Sequence, residues 1–234
     1  MLFDRILGKF QLKIKDRQAA GNILGDSLKG LVKKADRSDV IVLGIPRGGL
    51  VVAEAIGRKL ECRLDFILVR RLRSPFNEEL AIGAVAHDGT TYINEAIVEN
   101  QKISREHINN EVSNQLQEMK RLDTLFDNGN KTLNEGYGSS SNKTIILVDD
   151  GAATGATIIA ASRSIRNTIK PKQFLLAVPV SPKGTIKTLK NENIDHIEVI
   201  TSPQNSNFVS VEQFYQNFEQ ITDEQVIRMI RNLQ

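Results

Sequence analysis

A chain of 234 residues, 40% of them hydrophobic, is long enough for one domain whose core needs no disulfides. Its 31 Lys and Arg against 28 Asp and Glu leave a net charge of +3 spread along the chain, which argues against a dedicated nucleic-acid binder or a polybasic membrane anchor. Cys62 alone cannot make an internal disulfide, and three scattered histidines with no Cys-x-x-Cys exclude the usual zinc spacings. No window reaches the roughly 18 consecutive apolar residues of a membrane span. Met1 to Ile14 carries Asp4, Arg5, Lys9 and Lys13 where a signal peptide would be apolar, so the expectation is a soluble, cytoplasmic chain with no targeting segment.

Apolar runs of strand length recur at Val40 to Ile45, Leu64 to Val69, Thr144 to Val148, Phe174 to Val180 and Ile197 to Thr201. Runs rich in Val, Ile and Leu without alternation mark strands covered on both faces, which predicts a mostly parallel, twisted sheet. Helical patterns at Leu50 to Leu60, Thr154 to Thr168 and Lys183 to Lys190 lie between them, giving an α/β order of elements. From Glu95 to Phe126 the apolar residues Ile108, Val112, Leu116, Met119, Leu122 and Phe126 recur at steps of four or three, which predicts one long inserted helix over 95–126 with a single apolar stripe. That stripe either packs on the sheet or a neighbouring helix, or binds a partner. Asp127 to Asn142, rich in Gly, Asn and Ser, reads as a solvated loop inside a single domain over 1–234.

The chemistry concentrates in Ile145 to Thr157, IILVDDGAATGAT. A buried strand ends in Asp149 and Asp150, and a loop of small residues then opens a helix. Carboxylates at the carboxyl end of a parallel strand sit in the crevice where open α/β sheets bind ligands. Free N–H groups at a helix start, with the hydroxyls of Thr154 and Thr157, suit a phosphate. The adjacent carboxylates suit sugar hydroxyls or a Mg²⁺ ion. The alternative is a capping Asp followed by a tight turn. No Lys follows Gly155 and there is no G-x-G-x-x-G, so neither a Walker A loop nor a dinucleotide site is present.

A second loop, Gly44 to Gly49 (GIPRGG), follows the first strand, with Arg47 as a fork for phosphate oxygens; its alternative is an ordinary βα turn. Two such loops on one sheet edge, with acids between them, suggest a ligand phosphorylated at both ends. Arg70 to Leu80 (RRLRSPFNEEL) reads as a mobile basic lid, or as a plain surface loop.

In these residues the chain resembles the type I phosphoribosyltransferase family, whose hallmark is four apolar residues, two acids and a small Thr/Gly loop. IILVDDGAATGAT departs from it at Gly151, where most members carry an aliphatic residue. The likeness runs from about Asp16 to the end of the chain. It is greater toward a bacterial and archaeal group known only as predicted phosphoribosyltransferases, through DRQAAG at Asp16 to Gly21, GIPRGG, ELAIGAVAHDG from Glu79 and FYQNFEQITDEQV from Phe214. The resemblance implies a parallel sheet flanked by helices, with a small hood from the terminal segments, its C-terminal part over 202–234.

By position, Asp149 and Asp150 would bind ribose hydroxyls, and Ala152, Ala153, Thr154, Gly155, Ala156 and Thr157 would cradle the 5-phosphate. Arg47, Gly48 and Gly49 would hold pyrophosphate. Arg70, Arg71 and Arg73 belong to the flexible loop, and Arg71 and Arg73 with the acidic pair carry catalysis. Mg²⁺ is the implied cofactor, riding mainly on pyrophosphate and ribose oxygens and touching Asp149 and Asp150 only indirectly. The reaction would transfer phosphoribose from phosphoribosyl pyrophosphate to a base or amine nitrogen. The partners implied are these small molecules, and a homodimer is compatible with the family. Where hypoxanthine-guanine enzymes carry an Asp and a Lys for the purine, this chain has Ala153 and Val178, which argues against a 6-oxopurine. Phe208 and Val209 resemble hood residues that frame a base, unless Phe208 is simply a packing aromatic. Two rival readings share the same residues: a non-catalytic sensor of the phosphoribosyl ligand, and a hydrolase using the acidic pair with Mg²⁺.

Overall fold

The computed structural model describes residues 13–32, 34–78, 80–126 and 142–231. Most of the segment Met1 to Ile14 and most of the Asp127 to Asn142 loop therefore lie outside the described residues.

Five strands form one parallel sheet in the order β2-β1-β6-β7-β8: β1 (Val40–Gly44), β2 (Arg63–Phe66), β6 (Thr144–Val148), β7 (Gln173–Val180) and β8 (His196–Thr201). The α/β expectation holds, and every strand pair in this sheet is parallel. Each central strand sends alternate residues to opposite faces. Ile41, Leu43, Ile145, Leu147, Phe174 and Leu176 pack with Ile158, Ile159 and Ile165 of helix α5 (Ala156–Thr168). Val40, Val42, Ile146, Val148 and Leu175 pack with Leu24 and Leu28 of α1 (Arg17–Leu28) and with Val52, Ile56 and Leu60 of α2 (Gly48–Leu60). Burial on both faces is why these strands read as continuous apolar runs.

The chain steps from β1 leftward to β2 and later returns to β6 on the other side of β1. The reversal leaves a crevice between the carboxyl ends of β1 and β6, the general ligand position of open α/β sheets.

Three expectations are corrected. The run Leu64 to Val69 is not one strand: β2 ends at Phe66 and β3 (Val69–Arg73) begins after a crossing in which Ile67 donates to the Gly44 carbonyl at 3.1 Å. Arg70, Arg71 and Arg73 consequently lie on a strand and not in a loop. β3 pairs antiparallel with β4 (Ala81–Ala86), which pairs with β5 (Thr91–Ile93), making a second, three-stranded sheet. The predicted single helix over 95–126 is two helices, α3 (Glu95–Gln101) and α4 (Arg105–Phe126). Lys102 closes α3 at φ 53°, and the Ser104 hydroxyl accepts the His107 N–H to start α4. The stripe of α4 packs through Ile108, Met119 and Leu122 onto Leu72 and Ile82 of the small sheet and onto Val226 and Ile230 of α7 (Asp223–Arg231), the helix that follows α6 (Lys183–Leu189).

The segments around Ile14 and Tyr215 meet. Ile14 donates to the Phe214 carbonyl and accepts from Gln216, each at 2.8 Å, and Ile14, Ala20, Val180, Phe214 and Tyr215 form a small core.

Helix α1 approaches α2 closely because Gly21 has no side chain; a Cβ there would lie 2.5 Å from the Val52 carbonyl oxygen and 2.6 Å from the Ala55 methyl. Gly21→Ala is expected to destabilise the chain by about 1–3 kcal/mol through overpacking, despite the better helix propensity of Ala. Urea denaturation measures this, and an unchanged midpoint would show that the two helices can part.

Candidate functional site

Adjacent pairing of β1 and β6 puts the two small-residue loops side by side. Gly44 is in register with Val148, and Ile45 donates to the Val148 carbonyl at 2.9 Å. A Cβ on Gly49 would stand 2.8 Å from both the Asp149 Cα and the Val148 oxygen, so the GIPRGG backbone rests on the acidic pair. The Pro46–Arg47 peptide is cis.

Neither carboxylate caps the following helix. The cap of α5 is Gly155 at φ 78°, with no side-chain hydrogen bond, which removes the capping alternative. Asp149 instead accepts the Asp150 N–H at 2.8 Å and the Thr157 hydroxyl at 3.3 Å. Burial, and then the neighbouring charge of Asp150, hold its carboxyl well above the usual range. Asp150 accepts from Arg17 Nε at 2.7 Å, and its carbonyl accepts the Tyr215 hydroxyl at 2.7 Å. Arg17 had no place in the sequence reading of the site.

In the expected phosphate cradle, Ala152 donates to the Val180 carbonyl at 2.8 Å, while the amides of Ala153, Thr154 and Gly155 meet no acceptor among the described residues. The Ala153 carbonyl is pinned by the Thr185 hydroxyl at 2.6 Å, which turns the loop's N–H groups outward. Those free amides, at the N-terminus of the 13-residue helix α5, can hold an anion.

The arginines are distributed unevenly. Arg47 pairs with Asp223 at 3.1 Å and donates to the Ile221 carbonyl at 3.4 Å, so the C-terminal segment engages it. Arg70 donates to Gln115 of α4 at 2.9 Å; burial foremost, and also the charges of Arg73 and Arg47, push its pKa down. The charges of Arg47 and Arg73 both reach Arg70. Strand alternation sends Arg71 to the face opposite Arg70. The irregularity between Leu72 and Arg73 leaves Ile82 of β4 as the extra residue, so Arg73 stays on the Arg71 face of β3, 3.8 Å from Glu78.

Phe208 stacks on Phe214 at 5.7 Å in the terminal core, as a packing aromatic does, and Val209 is 89% exposed. Val178 is fully buried against α5 and faces no crevice. Among the described residues no cluster of three or more His, Cys, Asp or Glu could hold a metal. Both oxygens of Asp149 and one of Asp150 are already engaged. This donor set fits a Mg²⁺ ion carried on ligand oxygens, with Asp150 reaching it through water, and not an all-protein site.

Burial makes stability depend on the protonation of Asp149. Its folded pKa lies above the unfolded value near 3.8, so the folded chain binds more protons in the interval between the two. The contribution to stability is fully present below the unfolded value and is lost as pH rises through the folded pKa. Asp149→Asn is therefore expected to flatten this decline and to raise stability at neutral pH. Urea midpoints from about pH 4 to about pH 8 measure it, and a lower midpoint in the variant throughout would contradict the burial argument. A second expectation concerns Arg47: its half-exposed pair with Asp223 is worth about 0.2–1 kcal/mol, so Asp223→Asn should free Arg47 and tighten the binding of an anionic probe such as pyrophosphate by about 1.4- to fivefold. Calorimetry decides that point, weaker binding being the contrary result.

No helix among the described residues is long and apolar enough to cross a membrane. Two Mycobacterium tuberculosis proteins are similar to this chain: "Putative phosphoribosyl transferase MT0597" of strain CDC 1551 / Oshkosh and "Putative phosphoribosyl transferase Rv0571c" of strain H37Rv. Each is 33% identical over 215 residues, which are 92% of this chain and 46% of the relative, so the chain spans about half the length of these relatives. The crystal structure of TT1426 from Thermus thermophilus is similar with a TM-score of 0.72 at 28% identity, covering 94% of this chain and 99% of that one. Residues 11–219 match the phosphoribosyl transferase domain, and with these relatives the match shows that the chain belongs to the phosphoribosyl transferase family.

Proposed function

We propose that this chain is an active phosphoribosyltransferase, which binds phosphoribosyl pyrophosphate with Mg²⁺ and transfers phosphoribose to a nitrogen acceptor, a nucleobase or related amine, releasing pyrophosphate. The observation that carries the reading is the contact of the GIPRGG loop with the acidic pair at the β1/β6 crevice, with free amides of the second loop beside it. This order gives one ligand three subsites in a row. Ala152 to Thr157 take the 5-phosphate through backbone N–H groups and the Thr154 and Thr157 hydroxyls. Asp149 and Asp150 take the ribose hydroxyls. The peptides of Arg47, Gly48 and Gly49 face the pyrophosphate, with Arg47, Arg70 and Arg73 supplying positive charge as it departs. Mg²⁺, when bound, neutralises charge on the pyrophosphate oxygens. Phe208 and Val209 are the hood residues assigned to the acceptor side. A cytoplasmic location accompanies this reading.

Among the charges that act on Arg70 are those of Arg73 and Arg47; on this basis the arginines named for catalysis are divided. Arg73 acts on the leaving group, and Arg71 serves only to attract anions. The test is pyrophosphate release from phosphoribosyl pyrophosphate and Mg²⁺ across a panel of bases and amines. Arg73→Ala should lower turnover by about 10²-fold while ligand affinity stays within about tenfold, because charge stabilisation counts more in the transition state. Arg71→Ala should change both by only a few-fold. No release with any acceptor, alongside intact ligand binding, would favour the sensor over the enzyme.

A further inference from the structure

Arg17 is the first residue of α1 and is 133 residues from the carboxylate it meets. Its place is set from several sides. Asp16 caps α1 by accepting the Ala19 N–H at 2.7 Å, which orients the first turn. Arg17 Nη1 donates to the Glu219 carbonyl at 2.7 Å, and the guanidinium carbon lies 3.7 Å from the centroid of the Phe218 ring. Nε donates to Asp150 Oδ2 at 2.7 Å. The two side chains are 10% and 18% exposed, so the pair is largely out of water.

The GIPRGG loop is shaped around this pair. A Cβ on Gly48 would overlap the Asp150 carboxylate and stand 2.6 Å from Arg17 Nε. Gly48 is therefore bare for the ion pair at least as much as for a ligand. A buried ion pair brings little net stability over an apolar pair of the same volume, because both ions lose their hydration. What it does supply is a defined orientation of the carboxylate.

We propose that Arg17 is a positioning residue for ribose recognition: it holds one oxygen of Asp150 and so orients the other toward a sugar hydroxyl. The inference rests on the phosphoribosyl reading above and extends it to a residue outside both loops. Lysine cannot replace Arg17, since a single ammonium cannot reach Asp150 and the Glu219 carbonyl while stacking on Phe218.

The experiment compares two ligands on the full chain by calorimetry: phosphoribosyl pyrophosphate with Mg²⁺, which carries the ribose, and pyrophosphate with Mg²⁺, which does not. Arg17→Lys and Arg17→Met should weaken the first by about tenfold or more, the scale of a lost charge-assisted contact, and change the second by less than about twofold. Arg17→Met leaves a lone buried carboxylate, so the double variant Arg17→Met with Asp150→Asn provides the folding control. It should recover melting temperature and still bind phosphoribosyl pyrophosphate poorly. Equal losses for both ligands would make Arg17 a general structural support and overturn the proposal, as would wild-type affinity in either single variant or in the double variant. A wild-type chain that binds pyrophosphate but not phosphoribosyl pyrophosphate, or binds neither, would overturn the phosphoribosyl reading itself and the inference with it.

Discussion

The site depends on one close approach, the backbone of Gly48 and Gly49 lying against Asp149 and Asp150. With β1 and β6 paired in register, the loops that follow them leave the sheet at the same level and have no room for side chains between them. The consequences follow in order. Glycine is needed at both positions for steric reasons. The carboxylates are pressed into a space with little water, which raises the Asp149 pKa through burial and through its neighbour's charge. Asp150 then needs a cation, and Arg17 of α1 supplies it. Arg17 in turn needs a fixed environment, which the chain's C-terminal segment provides through Phe218 and Glu219. A packing constraint at the centre of the sheet is thereby passed outward to both ends of the chain.

What could be read from the sequence was whatever is local and apolar. β1, β6, β7 and β8 were found nearly to the residue because strands covered on both faces leave an uninterrupted signal. The loop after β6 was found because its residue types are chosen by backbone chemistry within a dozen positions. Other features were hidden for identifiable reasons. β3 reads as a loop because Arg70, Arg71 and Arg73 surround a single buried Leu72, and a half-exposed strand of this composition has no apolar run. α1 carries Gly21 and Gly25, which lower helix propensity and are there to let α2 approach. The break between α3 and α4 falls at Lys102, a residue with no turn preference, held left-handed by the capping bonds around it. Arg17 was missed because an ion pair spanning most of the chain has no spacing to recognise.

The departure at Gly151 from the family's signature also has a structural explanation. A Cβ at Gly151 would run into both methyls of Val211 and stand 3.1 Å from a Val180 methyl. The volume that an aliphatic residue at position 151 would fill is here taken by Val211, from the other side of the same space. Val211 and Tyr215, four residues apart, thus grip the acidic loop together, one by filling the volume beside Gly151 and the other by donating to the Asp150 carbonyl. The shape of the acidic loop is thus partly built from the segment that carries Val211 and Tyr215. Substitutions along residues 208–219 therefore act on the loop's backbone as well as on the segment's own surface. Separating the two effects requires changes that spare Val211, Tyr215 and Phe218 and alter only the exposed residues between them.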